Sequence, residues 1–183
     1  MKKENLICPM GAAGILESKF RRMMHNPEKI LKPYIKKGMT ALDIGCGPGV
    51  FSVEIAKLMD GTGKVISADM QDGMLEIVKN KIAGTPMEKV IVLRKCTNES
   101  INVNEKIDFA LMFYMVHEVH NRERFFGETL PLINKNGLLM IVEPVLVSGS
   151  SFGKMTDYIK ERGFTEIAKP KITLSRGIVL KKD

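Results

Sequence analysis

A short apolar run that leads into three glycines is the feature that most constrains the fold of this chain. Residues 39–44 have the composition of a buried β-strand, and glycines follow at positions 45, 47 and 49. Residues 50–59 then carry apolar side chains at helical spacing. Glycines let the backbone approach a ligand closely, and the N-terminus of the next helix offers free N–H groups. This order predicts a nucleotide-type binding site at the carboxyl edge of a parallel sheet.

Strands and helices continue to alternate along the rest of the chain. Further strands are predicted at 64–69, 89–93, 107–115 and 138–142, and helices at 74–82, 122–133 and 152–162. Asn136 and Gly137 are expected to end the helix that starts at Arg122. Such alternation predicts a mostly parallel sheet with right-handed crossovers. The last two strand-like segments, 164–168 and 173–181, have only a short link and predict an antiparallel hairpin at one edge of a seven-stranded sheet.

The beginning of the chain stands outside this alternation. Residues 14–25 are amphipathic at helical spacing, and Asn26 and Pro27 form a good helix start, with Asn as the N-cap and Pro at the first helical position. Residues 1–38 are too few to fold alone. We therefore expect residues 1–183 to form a single domain in which residues 1–38 are a helical lid or packing segment.

Composition and charge indicate an ordinary globular protein of the cytoplasm. Hydrophobic residues make up 44% and charged residues 27% of the 183 residues, and no apolar run reaches the ~20 residues of a membrane span. Three cysteines and no secretory signal predict reduced thiols in a cytoplasmic protein. The net charge of +7 comes from the two ends, since residues 39–168 hold fourteen basic and seventeen acidic residues. Basic ends could face an acidic partner, although solvated surface lysines are the more common case.

The spacing of the glycines distinguishes between cofactor classes. In the dinucleotide pattern G-x-G-x-x-G a third glycine would fall at position 50, where the chain has Val50, and the phosphate-loop pattern is absent. The chain has instead Asp43 followed by Gly45, Gly47 and Gly49. This D-x-G-x-G-x-G pattern resembles motif I of the class I S-adenosylmethionine-dependent methyltransferases, and residues 39 to about 181 look closest to their small-molecule, quinone-biosynthesis-like branch. The resemblance implies a Rossmann-like class I methyltransferase fold and S-adenosyl-L-methionine as the cofactor.

The resemblance also assigns expected cofactor contacts. The glycine turn, including Cys46 as a small packed residue, would lie against the methionine and ribose part, with Asp43 orienting the turn. Asp69 ends the second predicted strand, 24 residues after Gly45, where a carboxylate can accept both ribose hydroxyls; capping of the next helix is its alternative role. Met70 would stack on adenine. The family usually has an acidic residue after the third strand, and here Thr97 or Asn98 would replace it.

The end of the fourth predicted strand would face the transferred methyl group. Phe113 and Tyr114 could border the methionine tail of the cofactor, and His117 and Tyr114 are the candidate catalytic residues. His117 could take a proton from the acceptor because its ordinary pKa lies near neutrality, or it could cap the next helix, and both roles stay open. Glu118 is expected to be an orienting or surface residue. His25 and His120 are assigned to the surface.

The absence of several motifs narrows the range of possible methyl acceptors. No metal site is expected, because the segment after the fourth strand lacks clustered Asp and Asn ligands. That segment also lacks the Pro-Pro motif of amino-methylating enzymes and a cysteine that could attack a pyrimidine. A small-molecule acceptor is therefore predicted, and nucleic acid is disfavoured. An RNA methyltransferase and a non-catalytic S-adenosylmethionine-binding protein remain alternatives, while the glycine spacing disfavours an oxidoreductase. The acceptor and the oligomeric state are left open.

Overall fold

A computed structural model describes residues 25–183 as a seven-stranded sheet covered by helices on both faces. The strand order in the sheet is β3-β2-β1-β4-β5-β7-β6. The strands are β1 (Thr40–Ile44), β2 (Lys64–Asp69), β3 (Ile91–Lys95), β4 (Ile107–Phe113), β5 (Ile133–Pro144), β6 (Phe164–Ala168) and β7 (Ser175–Lys182). The first five strands are parallel, and β7 pairs antiparallel with both β5 and β6. The predicted fold class, including the antiparallel hairpin at the edge, is confirmed.

Five α-helices cover the sheet within residues 25–183, in two layers. They are α1 (Pro27–Leu31), α2 (Val50–Leu58), α3 (Asp72–Ile82), α4 (Arg122–Thr129) and α5 (Gly149–Lys160). Helices α1 to α3 pack into one apolar cluster, with Leu31, Ile55 and Val78 buried there. Helices α4 and α5 contribute Phe126 and Ile159 to a second cluster. Because both faces of the sheet are covered, strands such as β4 are apolar almost throughout.

The candidate site lies where the strand order of the sheet reverses direction. From β1 the sheet continues through β2 to β3 on one side and through β4 to β5 on the other. The loops that leave the carboxyl ends of β1 and β4 therefore diverge and open a crevice between them. The glycine turn after β1 and the segment that follows β4 lie on the two sides of this crevice.

Four of the predicted element boundaries are wrong for local reasons. The helix predicted over 122–133 ends at Thr129, because Pro131 lies in a 3₁₀ turn over Leu130–Leu132. Strand β5 starts at Ile133 rather than 138, with Asn136 at φ 63° inside a register shift of its pairing with β4. Strand β3 starts at Ile91 rather than 89, because a 3₁₀ turn over Pro86–Lys89 precedes it. The predicted strand 107–115 ends at Phe113, since Tyr114 has a φ of 58°.

The predicted helix start at Asn26 is confirmed. Asn26 Oδ1 accepts a hydrogen bond of 3.1 Å from the Lys29 N–H, and Pro27 is the first residue of α1. Residues 14–24 of the predicted amphipathic segment lie outside the described residues, so the lid role of residues 1–38 stays a prediction. Over residues 25–183 no helix is both long and apolar enough to cross a membrane.

Candidate active site

The glycine turn connects β1 to α2 and forms one wall of a cavity of about 600 Å³. Gly45, Gly47 and Gly49 all have positive φ. A Cβ on Gly47 would meet no atom of residues 25–183 within 4 Å, and Gly47 lines the cavity, so this position leaves room for a ligand beside the backbone. A Cβ on Gly49 would lie 2.7 Å from Val78 Cγ2. Gly49 does not line the cavity; its backbone starts α2 and lets α3 pack close to it.

Asp43 lies buried beneath the glycine turn at the cavity wall. The Ser52 hydroxyl donates a hydrogen bond of 2.6 Å to its Oδ2. Burial raises the pKa of Asp43 to about 7; the bond from Ser52 opposes this rise, and the Asp69 charge adds to it. Since Ser52 belongs to α2, this bond ties the helix to the end of β1.

The Asp69 carboxylate joins the end of β2 to the glycine turn. Its Oδ2 accepts a hydrogen bond of 2.9 Å from the Gly47 N–H, and its Oδ1 accepts one of 2.8 Å from the Gln71 N–H. The second bond goes to the N–H of the residue that precedes α3, while α3 has no side-chain cap within the described residues. Each carboxylate oxygen has two lone pairs, and Asp69 lines the cavity. The carboxylate can therefore hold the turn and still accept hydrogen bonds from a ligand.

The other predicted cofactor contacts lie along the same wall. Cys46, Met70, Thr97, Asn98 and Phe113 all line the cavity. Cys46 is buried, and burial raises the pKa of its thiol well above the usual range, which agrees with a small packed residue. The Thr97 hydroxyl accepts hydrogen bonds from the Glu99 and Ser100 N–H groups at 3.2 and 3.0 Å. Thr97 therefore shapes its own loop, and Asn98 is exposed beside it.

His117 pairs with a carboxylate that belongs to no motif of the sequence. Glu143, at the end of β5, has 1% of its surface exposed. Its Oε2 lies 2.5 Å from His117 Nδ1, and its Oε1 accepts a hydrogen bond of 2.9 Å from the Val116 N–H. The bond from Glu143 raises the pKa of His117, and partial burial opposes the rise. A charged residue directly after the apolar run 138–142 was the sequence signal that could have revealed this group.

Glu118 follows His117 and also lines the cavity. Its Oε1 is 3.9 Å from His117 Nε2, and 28% of its side chain is exposed. Burial raises the pKa of Glu118, while His117 lowers it and the charges of Asp69 and Glu143 raise it further. The His117 ring thus lies between two carboxylates, one bonded to Nδ1 and one near Nε2.

Tyr114, the second candidate catalytic residue, lies at the cavity wall with its hydroxyl in a polar cluster. The hydroxyl oxygen is 2.6 Å from Ser175 Oγ and 3.1 Å from His25 Nε2. The assignment of His25 to the surface is wrong: 5% of its surface is exposed, and it lies against Tyr114 and the Thr173 carbonyl. His25 lies two residues before α1 and 89 residues before Tyr114 in the sequence. His120 is exposed, as predicted.

The ring of Phe113 completes this wall by aromatic contacts, with its centroid 4.3 Å from that of Phe51 and 4.7 Å from that of Tyr114. Within residues 25–183 no group of three or more His, Cys, Asp or Glu side chains could hold a metal ion. The structure therefore brings the predicted site residues together around one cavity, with Gly49 as the exception.

A glycine turn after β1, an acidic residue ending β2 and a parallel sheet with an antiparallel final hairpin define a class I methyltransferase fold. The chain belongs to the methyltransferase-domain family, whose pattern matches residues 35–171. This match confirms the class predicted from the glycine motif.

Relatives of known name agree with this class. The chain is 37% identical over 109 residues to a demethylmenaquinone methyltransferase from Staphylococcus aureus, a match that covers 60% of this chain and 44% of that protein. It is 24% identical to a cobalt-precorrin-6B C(15)-methyltransferase of Saccharolobus solfataricus, over 80% of this chain and 72% of the relative. The chain thus spans less than half the length of the quinone methyltransferase it matches.

A solved structure supports the fold. A SAM-dependent methyltransferase from Aquifex aeolicus superposes with a TM-score of 0.82 at 21% identity, covering 94% of this chain and 98% of that one. At this identity the likeness concerns the fold.

Proposed function

We propose that this protein binds S-adenosyl-L-methionine and transfers its methyl group to a small-molecule acceptor, with His117 as the general base. The observation that carries the proposal is the His117–Glu143 pair, which lies at the same cavity as the open glycine turn and Asp69. The residues present fit the cofactor, because Gly47 leaves room for close approach and Asp69 offers acceptor oxygens for hydroxyl groups. When bound, S-adenosylmethionine supplies an electrophilic methyl group on a positively charged sulfur.

Glu143 prepares His117 for proton transfer. Its buried carboxylate accepts the Nδ1–H bond, which leaves the lone pair of Nε2 to accept a proton. Nε2 would take the O–H, N–H or C–H proton of an acceptor, and the freed electron pair would then be available to the methyl group of the cofactor. The sulfur would keep the electron pair of its bond to that methyl group. His117 is thereby the catalytic residue and Glu143 a positioning residue.

The charges around the cavity favour a small, non-anionic acceptor. Five carboxylates line the described part of the wall, and the guanidinium of Arg124 is the single Lys or Arg side chain there. Arg124 is moreover paired with Glu99 at 3.7 Å. A negative wall attracts the cationic cofactor and repels a phosphodiester chain, which disfavours the RNA alternative. The names of the quinone methyltransferase relatives support a small molecule as well.

The described part of residues 1–38 supports a covering role for this segment. His25 lines the cavity, where its ring is bonded to Tyr114, and it also lies within hydrogen-bond distance of the Thr173 carbonyl. His25 therefore places the start of the described chain beside the cavity. We include in the proposal that residues 1–38 cover the acceptor end of the site.

Calorimetric titration with S-adenosylmethionine, S-adenosylhomocysteine and NAD tests the cofactor. Binding of both adenosyl compounds with micromolar affinity, and none of NAD, is expected. Absence of binding of either adenosyl compound would overturn the proposal. If both bind but His117→Asn turns over an identified acceptor as fast as the wild type, the base assignment falls and the cofactor assignment stands.

A further inference from the structure

The carboxylates on the described part of the cavity wall differ in their hydrogen-bond partners. The carboxylates along its wall are Asp43, Asp69, Glu99, Glu118 and Glu128. Asp43 and Asp69 accept the hydrogen bonds described above. Glu128 accepts hydrogen bonds from the Ser100 hydroxyl at 2.5 Å and the Ile101 N–H at 3.0 Å. Glu99 is paired with Arg124.

Glu118 differs from these four. No residue from 25 to 183 donates a hydrogen bond to its carboxylate, and its nearest cationic neighbour is His117 Nε2 at 3.9 Å, which is too long for a hydrogen bond. Its side chain is 28% exposed and lines the cavity. A carboxylate on the cavity wall that accepts no hydrogen bond from the described residues has its lone pairs available for a donor group of a ligand.

Glu118 also lies beside the reacting end of the cavity. The 3.9 Å between its Oε1 and His117 Nε2 places the two groups within reach of one small molecule. With hydrogen bonds of ordinary length to both, the nucleophilic atom and the donor group of that molecule would be separated by no more than about 10 Å. The aromatic rings of Phe51, Phe113 and Phe125 line the same cavity, which suits a ring between the two polar ends.

We infer that Glu118 binds the methyl acceptor, and that the acceptor is a small molecule with a protonated amine near its nucleophilic atom. The inference rests on the proposed function and adds the chemical class of the substrate to it. The ammonium donates to Glu118, while the nucleophilic atom gives its proton to His117. Glu118 would then determine specificity without taking part in the proton transfer.

Three phenols of similar size but different charge test this assignment. Tyramine is a cation, 4-ethylphenol is neutral and 4-hydroxyphenylacetate is an anion at pH 7. Each is titrated by calorimetry into the protein saturated with S-adenosylhomocysteine. Tyramine is expected to bind about tenfold more tightly than 4-ethylphenol, the size of a hydrogen bond to a charged group, and the anion more weakly than either.

The variants assign the preference to one side chain. Glu118→Gln should reduce the affinity for tyramine to that for 4-ethylphenol. Glu123→Gln makes the same charge change on an exposed residue that does not line the cavity and should keep the preference. The inference is overturned if wild-type protein binds no probe, if it binds the three equally or the anion best, or if Glu118→Gln keeps the tyramine preference.

The cofactor titration separates this inference from the proposed function. If S-adenosylhomocysteine itself does not bind, both fall. If it binds and the charge preference is missing, only the role of Glu118 falls. If Glu118 only influenced the pKa of His117, Glu118→Gln would weaken the binding of all three probes equally. That outcome also contradicts a role of Glu118 in binding the acceptor.

Discussion

Glu143 Oε2 and His117 Nδ1 lie 2.5 Å apart, which connects the end of β5 to the turn after β4. The buried carboxylate fixes the ring orientation and raises the pKa of His117. The basicity of His117, the proposed base, therefore depends on Glu143, which does not line the cavity.

Replacing this carboxylate should lower the basicity of His117. In Glu143→Gln the pKa of His117 should fall toward its ordinary value of 6.5, because the amide carries no negative charge. Methyl transfer should fall about 10- to 100-fold, and His117→Asn should cost about 100-fold or more. NMR titration of the His117 ring measures the pKa independently of activity, with Glu123→Gln as the control. An unchanged titration of His117 in Glu143→Gln would contradict the positioning role.

Asp69 should control cofactor affinity. Asp69→Ala is expected to weaken S-adenosylhomocysteine binding by tenfold or more, since it removes the acceptor for hydroxyl groups and releases the Gly47 N–H. Asp69→Asn keeps the size of the side chain and separates the loss of charge from a loss of packing. Asp72→Asn, at an exposed residue nearby, is the matched control. Equal affinity of wild type and Asp69→Ala by calorimetry would refute the ribose assignment.

The stability of the apo protein should depend on pH through Asp43. Its pKa rises from 3.8 to about 7 on folding, so the folded state keeps a proton that the unfolded chain releases. Stability from this group is therefore lost as pH rises between these two values, by up to about 4 kcal/mol, and stays constant above pH 7. The Asp43→Asn variant has no such loss. Its free energy of unfolding in urea should therefore rise relative to that of the wild type between pH 5 and pH 8. The same stability difference at both pH values would contradict this.

Two glycines of the turn should respond differently to alanine. Gly49→Ala should destabilise the protein, because its Cβ would lie 2.7 Å from Val78 at a φ of +76°. The Cβ of Gly47→Ala would meet no atom of the described residues, so the positive φ at this position should cost stability, about 1 kcal/mol. Gly47→Ala should instead weaken S-adenosylhomocysteine binding, because its methyl group occupies the cavity wall. Thermal unfolding and calorimetry on both variants check the contrast, which fails if Gly47→Ala binds the cofactor like the wild type.

Removal of residues 1–25 should reduce methyl transfer more than cofactor binding. The deletion removes His25 and its contacts with Tyr114 and the Thr173 carbonyl, and it removes the proposed cover of the acceptor end. His25→Ala tests the wall contact alone and should show part of the effect. The measurements are turnover of an acceptor found in a small-molecule screen and the dissociation constant of S-adenosylhomocysteine. Equal loss of both would refute the lid.

Much of the fold could be predicted from local patterns. The apolar run before Gly45 and the helical spacing after it are properties of adjacent residues, and the strand–helix alternation implies a parallel sheet whatever the distant contacts are. Element ends were less predictable. Asn136 and Gly137 look like a helix end, yet they lie in β5, because Pro131 had already stopped α4 and the pairing with β4 incorporates the extra residues.

The sequence by itself determined the class of the protein, through the D-x-G-x-G-x-G turn and Asp69 at the end of the next strand. Only the tertiary structure decided how the acceptor end is built. His117 meets Glu143 from 26 residues away, and Tyr114 meets His25 from 89 residues away. Periodicity and spacing report which side chains share an element, whereas these contacts depend on which strand ends become neighbours in the sheet. That order is set by the packing of the whole chain, so no local pattern contains it.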